Sequence, residues 1–172
     1  ILFWRNKMNY SQIRAMDISN GKGIRTSIFV SGCNRHCKGC FNKEAWDFNS
    51  GKNFNSEKYF KIYDLLKKPY CAGLSILGGE PFDQKDNYLL IELCKATHTI
   101  GKDVWIWSGY TFEELIKDKK SIELLKECDV LIDGPFIEEQ KDLSLKWKGS
   151  RNQRIINVPR SLENGEVVLY EK

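Results

Sequence analysis

The sequence predicts an α/β fold, an open and partial (β/α) barrel of about five to six mostly parallel strands. Three observations carry this. Short β-branched or aromatic runs alternate with helical periodicities, the pattern of βαβ units and a parallel sheet. Each of the first four runs ends in glycine-containing loop chemistry, and in parallel α/β folds the active site gathers at the carboxyl ends of the strands. Five or six strands are too few to close an eight-stranded barrel.

Taken in order, the first run covers 27–31 (Ser-Ile-Phe-Val-Ser) and ends at Gly32. Residues 49–55 are polar and read as loop. A helix is expected over 56–67, with Ser56 as N-cap and Tyr59, Phe60, Ile62, Tyr63 and Leu66 on its apolar face; Pro69 stops it. The second strand, 73–77, runs into Gly78-Gly79-Glu80-Pro81. A helix over 87–97 follows, then a third strand, 103–107. Thr111 and Glu114 have the spacing of a capping box opening a helical segment, and another helix is expected over 121–127. The fourth strand is 130–133, ending at Gly134-Pro135. A fifth apolar run spans 154–158, and 166–170 reads as an edge strand.

Composition bounds the class. The chain has 172 residues, 41% of them apolar and 29% charged, which excludes a disordered or fibrous protein. We expect one domain over 8–172, with Ile1 to Lys7 an upstream extension before a natural start at Met8. A formal charge of +4, from 27 basic and 23 acidic residues, is too small and dispersed to argue for nucleic acid. No apolar run approaches the ~18 residues that would span a membrane. A cytoplasmic location is expected, where six cysteines point to metal or catalysis rather than disulfides. Cys71, Cys94 and Cys128 stand alone in apolar contexts and read as core.

The chemistry is concentrated at Cys33, Cys37 and Cys40, spaced C-x3-C-x2-C on the loop after the first strand. Clustered thiolates hold zinc or iron–sulfur clusters. Three ligands are one short of a closed zinc site and of an ordinary four-iron electron carrier. Zinc would need His36 or Cys71 as a fourth ligand. An iron–sulfur cluster would keep one iron open for a small molecule bearing an amine and a carboxylate. Gly78, Gly79 and Glu80, directly after a buried strand, read as a ligand loop: glycines let backbone approach closely, and Glu80 offers an acceptor for an ammonium.

Other features stay divided. Gly21-x-Gly23 is not a dinucleotide fingerprint, and Arg25 is open to a carboxylate or a partner chain. Trp105 and Trp107 fit a core better than a stacking platform. Residues 147–154 are either a solvated loop or a docking patch. His98 receives no role.

The triad followed by Gly-Gly-Glu-Pro resembles the signature of radical S-adenosylmethionine enzymes. The stretch 8–46, with Asp17-Ile18, Gly21-x-Gly23-x-Arg25 and Gly39-Cys40-Phe41-Asn42-Lys43, is similar to one branch, the anaerobic ribonucleoside-triphosphate reductase activating proteins. So are 105–110, 129–135 and 147–154. Lys38 and Phe41 stand where proline and tyrosine are frequent in that branch, and neither change removes a ligand.

The resemblance implies a radical S-adenosylmethionine fold. Cys33, Cys37 and Cys40 would bind a [4Fe–4S] cluster, with S-adenosylmethionine on the fourth iron. Gly39, Cys40, Phe41 and Gly79 would line the S-adenosylmethionine site. The reduced cluster would cleave S-adenosylmethionine to methionine and a 5′-deoxyadenosyl radical. That radical would take hydrogen from a backbone glycine of the reductase. The implied partners are the anaerobic reductase and a low-potential electron donor such as flavodoxin, with a homodimer compatible and neither nucleic acid nor membrane involved.

Overall fold

The computed structural model describes residues 8–84 and 88–171. The expected extension Ile1 to Lys7 and the expected helix start at Asn87 lie outside them. Seven strands form one sheet in the order β3-β1-β2-β4-β5-β6-β7. They are β1 (Asn9–Asp17), β2 (Ile24–Ser31), β3 (Lys52–Asn53), β4 (Cys71–Gly78), β5 (Asp103–Trp107), β6 (Val130–Asp133) and β7 (Arg154–Asn157). The centre is parallel, β2 to β4 to β5 to β6; the flanking pairs β3–β1, β1–β2 and β6–β7 are antiparallel. The architecture is therefore mixed α/β with an open, partly parallel sheet.

The helices are α1 (Ser56–Leu66), α2 (Tyr88–Thr99), α3 (Phe112–Leu115), α4 (Ser121–Leu125) and α5 (Val158–Asn164). No helix among the described residues is long and apolar enough to cross a membrane. Strand alternation divides the sheet's two faces. Ile28, Val30, Leu74, Ile76, Val104 and Ile106 share a core with Ile62 and Leu66 of α1 and Leu90 and Leu93 of α2. Cys71, Cys94 and Cys128 lie in this core, as expected. On the other face Trp105, Val130 and Ile132 pack with Trp147 and Tyr170.

Several elements depart from the sequence reading. β1 was not expected: it buries little beyond Tyr10 and Asp17, and backbone pairing to β2 holds it rather than an apolar stripe. The short β3 lies inside the expected loop 49–55. The N-cap of α1 is Asn55, whose side chain accepts from the Lys58 N–H at 3.1 Å; Ser56 is the first helical residue. Phe60 points away from the core and is 60% exposed. The fifth run pairs antiparallel and gives up Val158 to α5. There the Asn157 side chain accepts from Arg160 N–H, Pro159 fits the first turn, and Gly165 at φ 73° closes the end. Residues 166–170 do not form a strand; they make one bridge, Leu169 to Ile156. The Thr111–Glu114 capping box is present.

Arg25 sits near the amino ends of the parallel strands, fully buried. Its Nε donates to Ser75 Oγ at 2.7 Å and its Nη2 to Leu74 O at 2.9 Å, while Nη2 pairs with Asp103 Oδ1 at 2.7 Å. The carboxylate it serves thus belongs to its own chain, and the residue ties β2, β4 and β5 together. Gly21 is required beside it, because a Cβ there would lie 2.6 Å from Arg25 Cδ. His98, given no role from sequence, holds Asp129 at 2.8 Å, and Asp129 in turn accepts from Val104 N–H.

Replacing Arg25 by Met should remove these bonds and leave buried acceptors without a donor. The expected loss is about 2–4 kcal/mol of unfolding free energy by urea denaturation. A loss below about 1 kcal/mol would contradict the clamp.

Candidate metal centre and ligand cavity

β2 delivers the chain to Gly32 and the cysteine loop, which closes on itself at its base. Gly32 N–H donates to Ala45 O at 2.8 Å and Cys33 N–H to Trp46 O at 3.2 Å. Within it, Cys40 N–H donates to Cys37 O at 3.1 Å, a tight turn with Gly39 at φ 76°. That left-handed position favours glycine, so Gly39 makes the C-x2-C spacing fold back. His36 also has positive φ and stacks on Trp46 at 4.3 Å.

The three thiols are free and half-buried. Burial pushes the Cys33 thiol above its ordinary value, so metal binding there would release a proton. Among the described residues, no three His, Cys, Asp or Glu side chains are grouped to hold a metal ion. Instead the thiols of Cys33, Cys37 and Cys40 line one cavity of about 250 Å³. Three soft donors around a volume, with no fourth cysteine or histidine among the described lining residues, fit an incompletely ligated iron–sulfur cluster. Neither proposed fourth zinc ligand joins them: Cys71 opens β4 at the sheet's far end, and His36 is occupied with Trp46.

The loop after β4 is locked beneath the cysteine loop. Gly79 N–H donates to Val30 O at 2.7 Å, and Glu80 N–H to Gly32 O at 2.8 Å. A Cβ on Gly78 would lie 2.7 Å from Val30 O, and one on Gly79 would lie 2.5 Å from Gly32 O. The glycine pair is thus needed for backbone packing against β2, besides lining the cavity. The Glu80 carboxylate accepts from Ser108 Oγ at 2.8 Å, Gly109 N–H at 2.7 Å and Phe82 N–H at 3.1 Å. Asp83 bridges further: it accepts from Asn34 N–H at 2.7 Å and from the Tyr110 hydroxyl at 2.6 Å. The loops after β2, β4 and β5 are therefore stitched by two buried carboxylates.

A family model described as a 4Fe-4S single cluster domain matches residues 19–156. An anaerobic ribonucleoside-triphosphate reductase-activating protein from Vibrio cholerae is 42% identical over 152 residues, covering 86% of this chain and 97% of that protein. The Escherichia coli K12 protein of the same name is 37% identical over 150 residues, covering 85% and 96%. This chain belongs to that family. A member from Enterobacteria phage T4 is 37% identical over 153 residues, covering 86% of the chain and 93% of its own length.

In this reductase-activating protein family member, the cavity takes in most of the residues singled out from sequence: the three cysteines, Phe41, Gly78, Gly79 and Glu80. Gly39 is not among the lining residues, and the contribution visible for it is the turn. Phe41 stands at the rim, 88% exposed, with its ring edge-on to Phe136 at 6.4 Å. Glu80 spends its carboxylate oxygens on protein donors, an engagement that no sequence pattern announces.

Sequence reasoning missed Arg35, Asp83, Gln84 and the far wall. Gln84 donates to Gly32 O at 3.0 Å. Gly134, Phe136, Gly149 and Gln153 close the cavity from the β6 side. The segment 147–154 is braced by its own bonds, with Ser150 buried and Arg151 exposed. Gln153 Oε1 accepts from Gly149 N–H at 2.8 Å, Gln153 Nε2 donates to Gly134 O at 3.0 Å, and Arg154 pairs with Asp133 and Glu113. Trp105 is core, as expected, but Trp107 is only half-buried and lines the cavity. Gly134-Pro135, at a strand end, was the legible signal for this wall.

Burial raises the Glu80 carboxyl from 4.5 to about 7, against the pull of its three donors. The folded chain then holds the proton more tightly than the unfolded chain. Its contribution to stability is present below pH 4.5 and lost as pH rises through about 7. Glu80→Gln should remove this window. Thermal unfolding should shift in the variant's favour, relative to wild type, between about pH 4.5 and 8; a pH-independent gap would contradict it.

Proposed function

We propose that this chain is a radical S-adenosylmethionine activase that generates the glycyl radical of an anaerobic ribonucleoside-triphosphate reductase. The observation that carries the reading is the joint lining of one cavity by the three cysteines and the glycine loop, together with family membership. In this reading Cys33, Cys37 and Cys40 would hold a [4Fe–4S] cluster. A bound, reduced cluster would supply one electron for cleaving S-adenosylmethionine to methionine and a 5′-deoxyadenosyl radical, the species that would take hydrogen from a glycine of the reductase.

The chain's own residues bind, orient and exclude water. Gly78 and Gly79 offer backbone close to the ligand. Phe29, Leu77 and Trp107 supply an apolar floor, which limits water near a reactive radical. Glu80 and Asp83 fix the loops, so the ligand meets walls already in place. Phe41, exposed at the cavity rim, would be open to contact from the protein substrate.

The same reading makes the sheet a partial (β/α) barrel of radical S-adenosylmethionine type, with 8–172 one domain working in the cytoplasm. A low-potential donor such as flavodoxin would supply electrons, and a homodimer is compatible with this reading.

The test is anaerobic. Iron-reconstituted, reduced chain is mixed with S-adenosylmethionine and an anaerobic ribonucleoside-triphosphate reductase, and a glycyl radical is sought by electron paramagnetic resonance. The radical and 5′-deoxyadenosine should both appear, and Cys37→Ala should abolish both along with the brown colour. Deoxyadenosine without a radical on the reductase would move the target to another glycyl-radical enzyme. Unchanged turnover in Cys37→Ala would overturn the assignment.

A further inference from the structure

Arg35 lies inside the C-x3-C segment, between Cys33 and Cys37. Among the described residues it is the one Arg or Lys lining the cavity. Its guanidinium lies over the Tyr110 ring at 4.5 Å. Its stem rests on Gly109, where a Cβ would sit 2.5 Å from Arg35 Cδ. Its Nε is buried without a hydrogen-bond partner.

Three other cations are bound within the fold. Arg25 is bound to Asp103 and Ser75, Arg154 to Asp133 and Glu113, and Lys148 to Gln153 O. The one carboxylate among the described lining residues, Glu80, accepts from Ser108, Gly109 and Phe82. Among the described lining residues, the charged group with a buried donor left unpaired is therefore the positive one, Arg35.

We propose that Arg35 is the carboxylate anchor of the cavity, binding the amino-acid end of S-adenosylmethionine. This rests on the reading above that S-adenosylmethionine is the ligand. The chemistry selects one group on that molecule. Its sulfonium and ammonium would be repelled by a guanidinium, and its carboxylate is its single anionic group. A guanidinium matches a carboxylate with two parallel N–H donors. A buried N–H left without an acceptor is costly, and a bound carboxylate would relieve that cost.

Placement in the cysteine loop puts the anchor beside the cluster ligands, where the chelating end of the ligand belongs. The loop is itself held from both sides by one residue. Tyr110 supports Arg35 with its ring, and through its hydroxyl it reaches Asp83, which accepts from Asn34 N–H. Burial and the bond to Asp83 raise the Tyr110 hydroxyl above its ordinary range, so it stays protonated as a donor. The cation is thus positioned before the ligand arrives, which lowers the entropy lost on binding.

The test is a binding cycle on anaerobically reconstituted, full-length chain, read by calorimetry rather than turnover. The probes are S-adenosylmethionine and its decarboxylated analogue. Wild type, Arg35→Ala and Arg35→Gln are compared after iron and sulfide contents are shown to match. Arg35→Gln keeps a stem over Tyr110 if the alanine variant fails to fold or load. Loss of Arg35 should weaken S-adenosylmethionine binding about ten- to a hundredfold and leave the analogue nearly unaffected. The preference for the carboxylate-bearing ligand should shrink by the same factor. An equal preference in wild type and variants would overturn the anchor while leaving the S-adenosylmethionine reading intact. Wild type that binds neither probe would overturn that reading and the anchor with it.

Discussion

Two buried carboxylates hold the site together. Glu80 and Asp83 follow β4 within four residues of one another, and between them they bond the loops after β2 and β5. Each acceptor oxygen is matched to a donor, which is the condition under which burying a carboxylate is tolerated. If this cross-bracing were absent, three separate loops would have to order around the ligand at its own entropic cost. With it, the cysteine loop, the glycine loop and the Ser108-Gly109-Tyr110 loop meet as one surface.

The rest of the sheet serves that surface. At the amino ends of the parallel strands, Arg25, Ser75 and Asp103 form a polar plug, with the Trp105 ring 5.3 Å from the guanidinium. Above it, the same face turns apolar through Phe29, Leu77 and Trp107, and it ends in glycines and thiols. The opposite face is given over to the helical core. On this face the buried ion pair lies at one end of the strands and the cysteine-lined cavity at the other. This division explains why Gly21-x-Gly23-x-Arg25, conspicuous as a motif, contacts no part of the cavity.

Much of this was legible before any coordinates. The parallel strands read from β-branched runs between helical periodicities, and their glycine-rich ends located the site. The thiol spacing singled out three cysteines that line one cavity. What stayed hidden had no local signature. β1 is held by backbone pairing and leaves Gln12, Arg14 and Met16 exposed, so it carries no apolar alternation. The partners of Glu80 lie 28 and 29 residues away, and those of Asp83 lie 49 and 27 away. The helix α5 did have signals, Asn157, Pro159 and Gly165, but the preceding apolar run masked them.

The central claim is that three cysteines hold a cubane whose remaining iron is open to a ligand. Mössbauer spectroscopy of protein loaded with iron-57, with and without S-adenosylmethionine, tests it most directly. The account predicts a four-iron cluster in which one site alone changes on adding S-adenosylmethionine, while the three thiolate-bound sites keep their parameters. A cluster whose irons are all indifferent to the ligand, or a chain that retains zinc in place of iron, would contradict it.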